Sequence, residues 1–306
     1  MKPTIRLVVT DLDNTLYDWV SFFVPSFYAM VDEAVELLQV DRERLLDDLQ
    51  EVHVRYGTSE QPFALLETKV VEDRLSGKST QERVAFLDPA FHAFNRVRKE
   101  TLKAYPGVIE GLRTLAGLRC EIVAHTEAPV VNALFRLNSL SISPFLKALY
   151  ATATHGPGHP DPARAKVRLP NHGIHVLNSE QLKPAPDILR TIIDERGVLP
   201  SETLYIGDSL TRDIAMARGA GARSAWAKYG RSFTAEDWQR LVRVTHWTEA
   251  DVARESELRQ QFAGITADVD LSNFADISNQ FNFEPSDSDV RLGSSAIGTE
   301  AAANRS

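Results

Sequence analysis

The first pattern along the chain is the run TIRLVVT at Thr4 to Thr10, almost continuously apolar, which predicts a strand buried on both faces of a parallel sheet. From about Leu16 to Lys103 the period changes. FFVPSFYAMVDEAVELL, DRERLLDDLQEVHVRY and FALLETKVVEDRL place apolar residues three and four apart, the spacing of amphipathic helices. Tyr105-Pro106-Gly107 punctuates the return, and Val108 to Ala116 is a short helix leading into the strand RCEIVAHT. Thereafter strand and helix signals alternate through PVVNALFRL, FLKALYATAT, PAPDILRTIIDERG, ETLYIGDS, LTRDIAMARGAG and ARSAWAK. That alternation predicts an α/β fold with a doubly wound, Rossmann-like parallel sheet.

The same pattern divides the chain. Residues 1–15 and 104–264 form an expected α/β core, and 16–103 an all-helical insert. A Gly-, Pro- and His-rich stretch from Gly156 to Gly173 is expected to be an exposed loop. A last strand is expected near Arg243 to Trp247, followed by a helix opened by Thr248. From about Ile265 the chain is rich in Ser, Asn, Asp and Gly with scattered Phe, which predicts a disordered tail over 265–306.

Composition narrows the function classes. Apolar residues make up 43% and charged residues 25% of the 306 positions, with no apolar run long enough for a bilayer, so a membrane role is not expected. Cys120 is the single cysteine, which rules out an internal disulfide and makes the cytoplasm the expected compartment. A formal charge of −8 argues against a nucleic-acid partner, which usually needs a basic face. A small anionic substrate is still compatible with it, because local cations can act against the global sign.

Candidate chemistry sits where strands are predicted to end. In VVTDLDNTLYD, Asp11 and Asp13 follow the first strand, at the sheet edge where open α/β folds bind ligands. Residues two apart on extended backbone point the same way, so both carboxylates can converge on one ion or substrate. Taken alone, the pair could equally end the strand or cap a helix. LYIGDSLTRD repeats the arrangement with Asp208 and, about a helical turn later, Asp213. Carboxylates gathered at strand ends form a hard, oxygen-rich site suited to Mg2+ with substrate phosphate. Phosphoryl chemistry also needs donors aimed at the phosphate oxygens. Thr126, ending EIVAHT, and Lys183, in QLKPAPD, can supply a hydroxyl and a point charge. Thr126 can also be read as the N-cap of a helix over Glu127 to Leu137.

Together DLDNT, a strand ending in Thr126, Lys183 followed by Pro184, and GDSLTRD resemble the four ordered motifs of the haloacid dehalogenase superfamily, over roughly Thr4 to Lys228. The helical stretch takes the place of that family's cap. The resemblance implies a Mg2+-dependent phosphatase acting on a small phosphorylated metabolite. Asp11 would be the nucleophile and Asp13 the acid and base. The Asp11 side chain, the Asp13 main-chain carbonyl and Asp208 would hold the metal, Thr126 and Lys183 the phosphate, and Thr15 and Asp213 would give support. An acidic Asp13 favours phosphate esters, since dehalogenase relatives carry an aromatic residue there. A phosphomutase and a catalytically silent binding protein of the same fold are the alternatives, and the oligomeric state is not readable.

Other features have plain explanations. SGKST at Ser76 to Thr80 lacks the first glycine of a phosphate-binding loop, Glu72 standing there, and is expected to be a helix end and turn. The histidines His155, His159, His172 and His175 lack the flanking pattern of a zinc site. Tyr17, Trp19, Phe22 and Phe23 either contact substrate or pack at the hinge.

Overall fold

Nearly every predicted element forms in the computed structural model of the chain, which describes residues 2–154, 173–230 and 232–286. The opening apolar run is split at Arg6 into β1 (Thr4–Ile5) and β2 (Leu7–Thr10). Four helices follow: α1 (Trp19–Leu38), α2 (Arg42–Tyr56), α3 (Lys69–Arg74) and α4 (Thr80–Thr101). Asp18, Asp41, Thr68 and Ser79 cap their N-termini, each accepting a first-turn N–H. In SGKST, Ser79 and Glu82 form a reciprocal capping box, so that segment is a helix start after a turn.

The chain returns through α5 (Val108–Gly117), β3 (Glu121–Pro129), α6 (Val130–Ser139), β4 (Ala148–Thr152) and β5 (Ile174–Leu177). All but Gly173 of the expected 156–173 loop, with His155, lies outside the described residues. His175, inside β5, stacks on Tyr150 at 4.1 Å. Next come α7 (Pro186–Arg196), β6 (Thr203–Gly207), a π-helical turn at Leu210–Ile214, α8 (Ala215–Gly219) and β7 (Arg223–Ala227). The chain continues with α9 (Ala235–Val244), α10 (Glu249–Gln261), β8 (Val269–Leu271), α11 (Ile277–Gln280) and β9 (Asn282–Phe283).

Seven strands form one parallel sheet in the order β5-β4-β3-β2-β6-β7-β8, while β1 and β9 pair separately. From β2 the chain winds outward to β5, then crosses back and builds the other half from β6. The switch point therefore lies between β2 and β6. Alternation along β2 divides the core: Val8 packs with α1 and α5 residues, while Leu7 and Val9 pack with Ile188, Leu189, Ile192 and Met216 of α7 and α8.

Three expectations are corrected. Residues 265–306 were expected to be disordered, yet over the described part, 265–286, β8 extends the sheet and Leu271, Phe274, Ile277 and Phe281 are buried; 287–306 lie outside the described residues. The ring of Phe274 lies against Gly111, where a Cβ would leave no room, and the Asn273 side chain occupies the same kind of gap at Gly107. A few apolar anchors suffice to fix a segment that is polar on average. Arg243 to Trp247 is not a strand, because Leu241 and Val244 share the buried face of α9 and Thr248 and Asp251 then cap α10. Thr126 does not cap α6, which starts at Val130 with Pro129 at its N-cap position; β3 runs on through a bulge instead.

Helix α9, counted by sequence with the core, packs on α1 and α2. Arg243 reaches Glu43 at 3.0 Å and Asp47 at 2.6 Å, the Tyr28 hydroxyl donates to the Arg240 carbonyl at 3.0 Å, and His53 meets the Val244 carbonyl at 2.6 Å. A carbonyl only accepts, so His53 Nδ1 carries a proton, while Nε2 is buried with no partner among the described residues, which disfavours a second proton. Burial draws its pKa down to about 4. The unfolded chain, with an ordinary histidine near 6.5, binds the extra proton first, so stability falls as pH drops from about 6.5 towards 4. Replacing His53 by Gln is expected to remove roughly 3 kcal/mol of that acid loss, measured as the difference between natural chain and variant in urea unfolding at pH 7 and pH 4; equal acid losses would refute it.

Candidate active site

At the switch point the backbone N–H of Asp11 donates to the Ile206 carbonyl of β6 at 2.8 Å. Neighbouring strands thereby deliver Asp11 and Asp208 to one edge. Asp213 enters from the π-helical turn, its N–H donating to Ser209 at 3.0 Å and its carboxylate accepting from the Ser209 N–H at 2.9 Å. Ligand oxygens of Asp11, Asp208 and Asp213 all lie within 4.8 Å of one another. Only a glycine allows this approach: a Cβ at position 207 would overlap the Asp213 carboxyl.

Into the cluster runs Lys183, 4% exposed, its Nζ 2.6 Å from Asp11 and 2.7 Å from Asp213. Its backbone N–H donates to Glu127 at 2.8 Å, and Glu127 also pairs with Arg212 at 2.7 Å. The Lys183–Pro184 bond is cis. Burial alone would lower the Lys183 pKa, but Asp11 and Asp213 outweigh it and hold the ammonium well above the ordinary lysine range. Burial pushes Asp11 well above the usual carboxylate range; Lys183 pulls it back, while Asp213 and Asp208 push further up. Three carboxylates around one ammonium leave uncompensated negative charge. A hard divalent cation fits that donor set, which offers oxygen ligands alone.

Beneath the ion pair the Tyr205 hydroxyl lies 3.4 Å from Asp213 and 3.1 Å from Nδ1 of buried His125. Burial, with Lys183 nearby, keeps His125 well below the ordinary histidine range and hence neutral. Thr126 leaves the same sheet edge, two positions beyond the Ala124 that pairs with Thr10. Its hydroxyl accepts from the Ala128 N–H at 3.1 Å. Thr15 is buried, its carbonyl accepting from the Tyr229 hydroxyl at 2.8 Å while its own hydroxyl has no partner among the described residues.

Asp13 stands slightly apart, bound through Oδ1 to Arg136 at 2.6 Å. Arg136, 1% exposed, joins Asp13 to Glu60 of the helical stretch, and Trp19 Nε1 donates to the same Glu60 at 2.5 Å. Tyr17 and Phe22 offer ring faces to the Arg136 guanidinium. Thus Asp11, Asp208, Asp213 and Lys183 meet directly, while Asp13 is tied to them by sequence adjacency and to the helices through Arg136. Sequence reading missed Arg136, Glu60, Glu127 and Tyr205. Each stands in an ordinary helix, turn or strand context with no local signal of its role.

Substituting Gly207 by Ala is expected to displace Asp213 and cost about 1–3 kcal/mol in urea unfolding. A variant as stable as the natural chain would show that the close approach is dispensable.

Comparison with known proteins agrees with this architecture. The 2-haloacid dehalogenase of Pseudomonas syringae pv. Tomato superposes with a TM-score of 0.52 at 19% identity, covering 90% of this chain and 97% of that one; this likeness concerns the fold alone. The glyceraldehyde 3-phosphate phosphatase of Methanopyrus kandleri is 27% identical over 236 residues, 74% of this chain and 85% of that protein. The phosphoglycolate phosphatase of Escherichia coli K12 is 26% identical over 244 residues, 75% and 83% of the respective chains. A family model for haloacid dehalogenase-like hydrolases matches residues 5–221, most of the chain, and the protein belongs to that family.

Proposed function

We propose that the chain is a Mg2+-dependent phosphatase that hydrolyses a small phosphomonoester through an aspartyl-phosphate on Asp11. The observation that carries this reading is Lys183 bridging Asp11 and Asp213 beside Asp208, a cation and three carboxylates at the switch-point edge. Two relatives matched over three quarters of this chain are phosphatases of two- and three-carbon phosphates, which supports a substrate of that size. Sugar phosphates and nucleotide monophosphates belong to the same class of ester.

In the first step an Asp11 carboxylate oxygen forms a bond to phosphorus as the bond to the ester oxygen breaks. The electron pair goes to that oxygen, which takes a proton from the Asp13 carboxyl and leaves as the alcohol. In the second, water bonds to phosphorus while Asp13 accepts its proton, and the Asp11–phosphorus bond breaks. Inorganic phosphate leaves, and Asp11 is again a carboxylate and Asp13 again a carboxylic acid. Lys183 and Thr126 face the negative oxygens of the transferring group. The magnesium ion would be held by the side chains of Asp11 and Asp208 and the Asp13 carbonyl, with Asp213 alongside. Bound there, it supplies positive charge that offsets the crowded carboxylates and draws phosphate in.

Residues 16–103 act in this reading as a cap that excludes water. Arg136 and Glu60 join cap to core at the acid itself, and α9 would travel with the cap helices it packs on.

Release of inorganic phosphate from a panel of small phosphomonoesters, with Mg2+ or with EDTA, tests the reading. Turnover is expected only with Mg2+, and Asp11→Asn is expected to reduce it at least about 10³-fold, the scale on which a single nucleophile or charge-stabilising group acts. Absence of turnover on every ester by the folded natural chain overturns the proposal.

A further inference from the structure

Beyond the Asp13–Arg136 pair, a narrow pocket opens between the helical stretch and α6, lined by Phe22, Phe23, Glu60, Phe94, Arg98, Asn132, Phe135 and Arg136. Four of the eight lining residues are phenylalanines, and two arginines accompany a single carboxylate. The cations are not equivalent. Arg136 is compensated twice, by Asp13 and by Glu60, and Glu60 is further engaged by Trp19. Arg98, half-buried near the C-terminus of α4, has neither a hydrogen bond nor an ion pair among the described residues, and its Nε is fully shielded from solvent. Its guanidinium carbon lies over Phe135, 3.8 Å from the ring centroid, with the Phe94 centroid at 5.5 Å.

A guanidinium partly withdrawn from water with no anion at ion-pair distance, the nearby Glu60 being paired with Arg136, is costly to hold. Burial, with Arg136 near, draws its pKa down to about 10, so the group stays charged while its environment favours an anion beside it. Asp13, the proton donor in the phosphatase reading, pairs with Arg136, which lines the pocket beside Arg98, and this adjacency puts Arg98 within reach of a group attached to the leaving oxygen.

We infer that this pocket is a subsite for a second anionic group on the substrate, a carboxylate two or three atoms beyond the ester oxygen, recognised by Arg98. The inference rests on the phosphatase reading above and narrows its substrate to phosphorylated short hydroxy acids. One unpaired guanidinium matches one carboxylate in charge and offers two parallel N–H donors to it. The aromatic walls accept a short carbon linker and strengthen the ion pair by excluding water. The cap contributes Arg98 and the core Phe135 and Arg136, so such a substrate ties both sides of the cleft together.

Initial rates with 2-phosphoglycolate and with ethyl phosphate, which has the same carbon count but no carboxylate, test this in the presence of Mg2+. The natural chain is expected to favour 2-phosphoglycolate in kcat/KM. In Arg98→Met, which keeps length but loses charge, that preference is expected to fall about 10- to 100-fold, the scale of a hydrogen bond to a charged group, mainly through KM. Arg98→Lys is expected to restore part of it. Hydrolysis of ethyl phosphate with no preference for 2-phosphoglycolate, or an equal fall on both esters in Arg98→Met, overturns the subsite and leaves the phosphatase reading standing. Turnover of neither ester, nor of any other phosphomonoester, overturns both.

Discussion

Three carboxylates brought to one sheet edge repel one another, and the buried ammonium of Lys183 is the charge that lets them stay. Its Nζ holds Asp11 and Asp213 at hydrogen-bond distance, while Glu127 fixes its backbone and Tyr205 supports Asp213 from below. A buried pair of this kind is seldom a net source of stability, but removing either partner leaves an uncompensated charge at high cost. The geometry is thus held in place by the penalty for disturbing it, and the remaining excess of negative charge suits the site to a divalent cation.

The sheet makes that crowding possible. The chain reverses direction of growth between β2 and β6, so two loops diverge from adjacent strands and leave a crevice at their carboxyl ends. Asp11 and Asp208 enter by the same ladder, and Gly207 lets Asp213 fold back against the strand without a Cβ in the way. The helical stretch between β2 and β3 meets the core through Glu60 and Arg136 at one place and through α9 at another. The acidic edge and the helical stretch are joined by the Asp13–Arg136–Glu60 chain, set among aromatic rings.

How much of this was legible varied with the range of the interactions. The α/β pattern, the helical stretch and the positions of Asp11, Asp208, Asp213 and Lys183 follow from local signals: continuous apolar runs, period-3.6 helices, and acids placed where strands end. The tail misled because its average composition is polar, whereas Phe274 and Leu271 find particular gaps against α5 and β7. Arg243 to Trp247 misled because alternating residues at a helix end imitate a strand. Arg136 gave no signal at all, since its meaning depends on Glu60 and Asp13, 76 and 123 positions away.

What the amino-acid order determined by itself is therefore the periodicity of each element and the chemistry offered at each strand end, because both depend on neighbours within a few residues. The tertiary structure alone decided which charges are paired and which are left over. Lys183 is shared between two acids, Arg136 is paired with two more, and Arg98, among the described residues, lies over aromatic rings with no ion pair or hydrogen bond. Charge compensation acts through space over a few ångströms, and the chain brings those partners together only by folding.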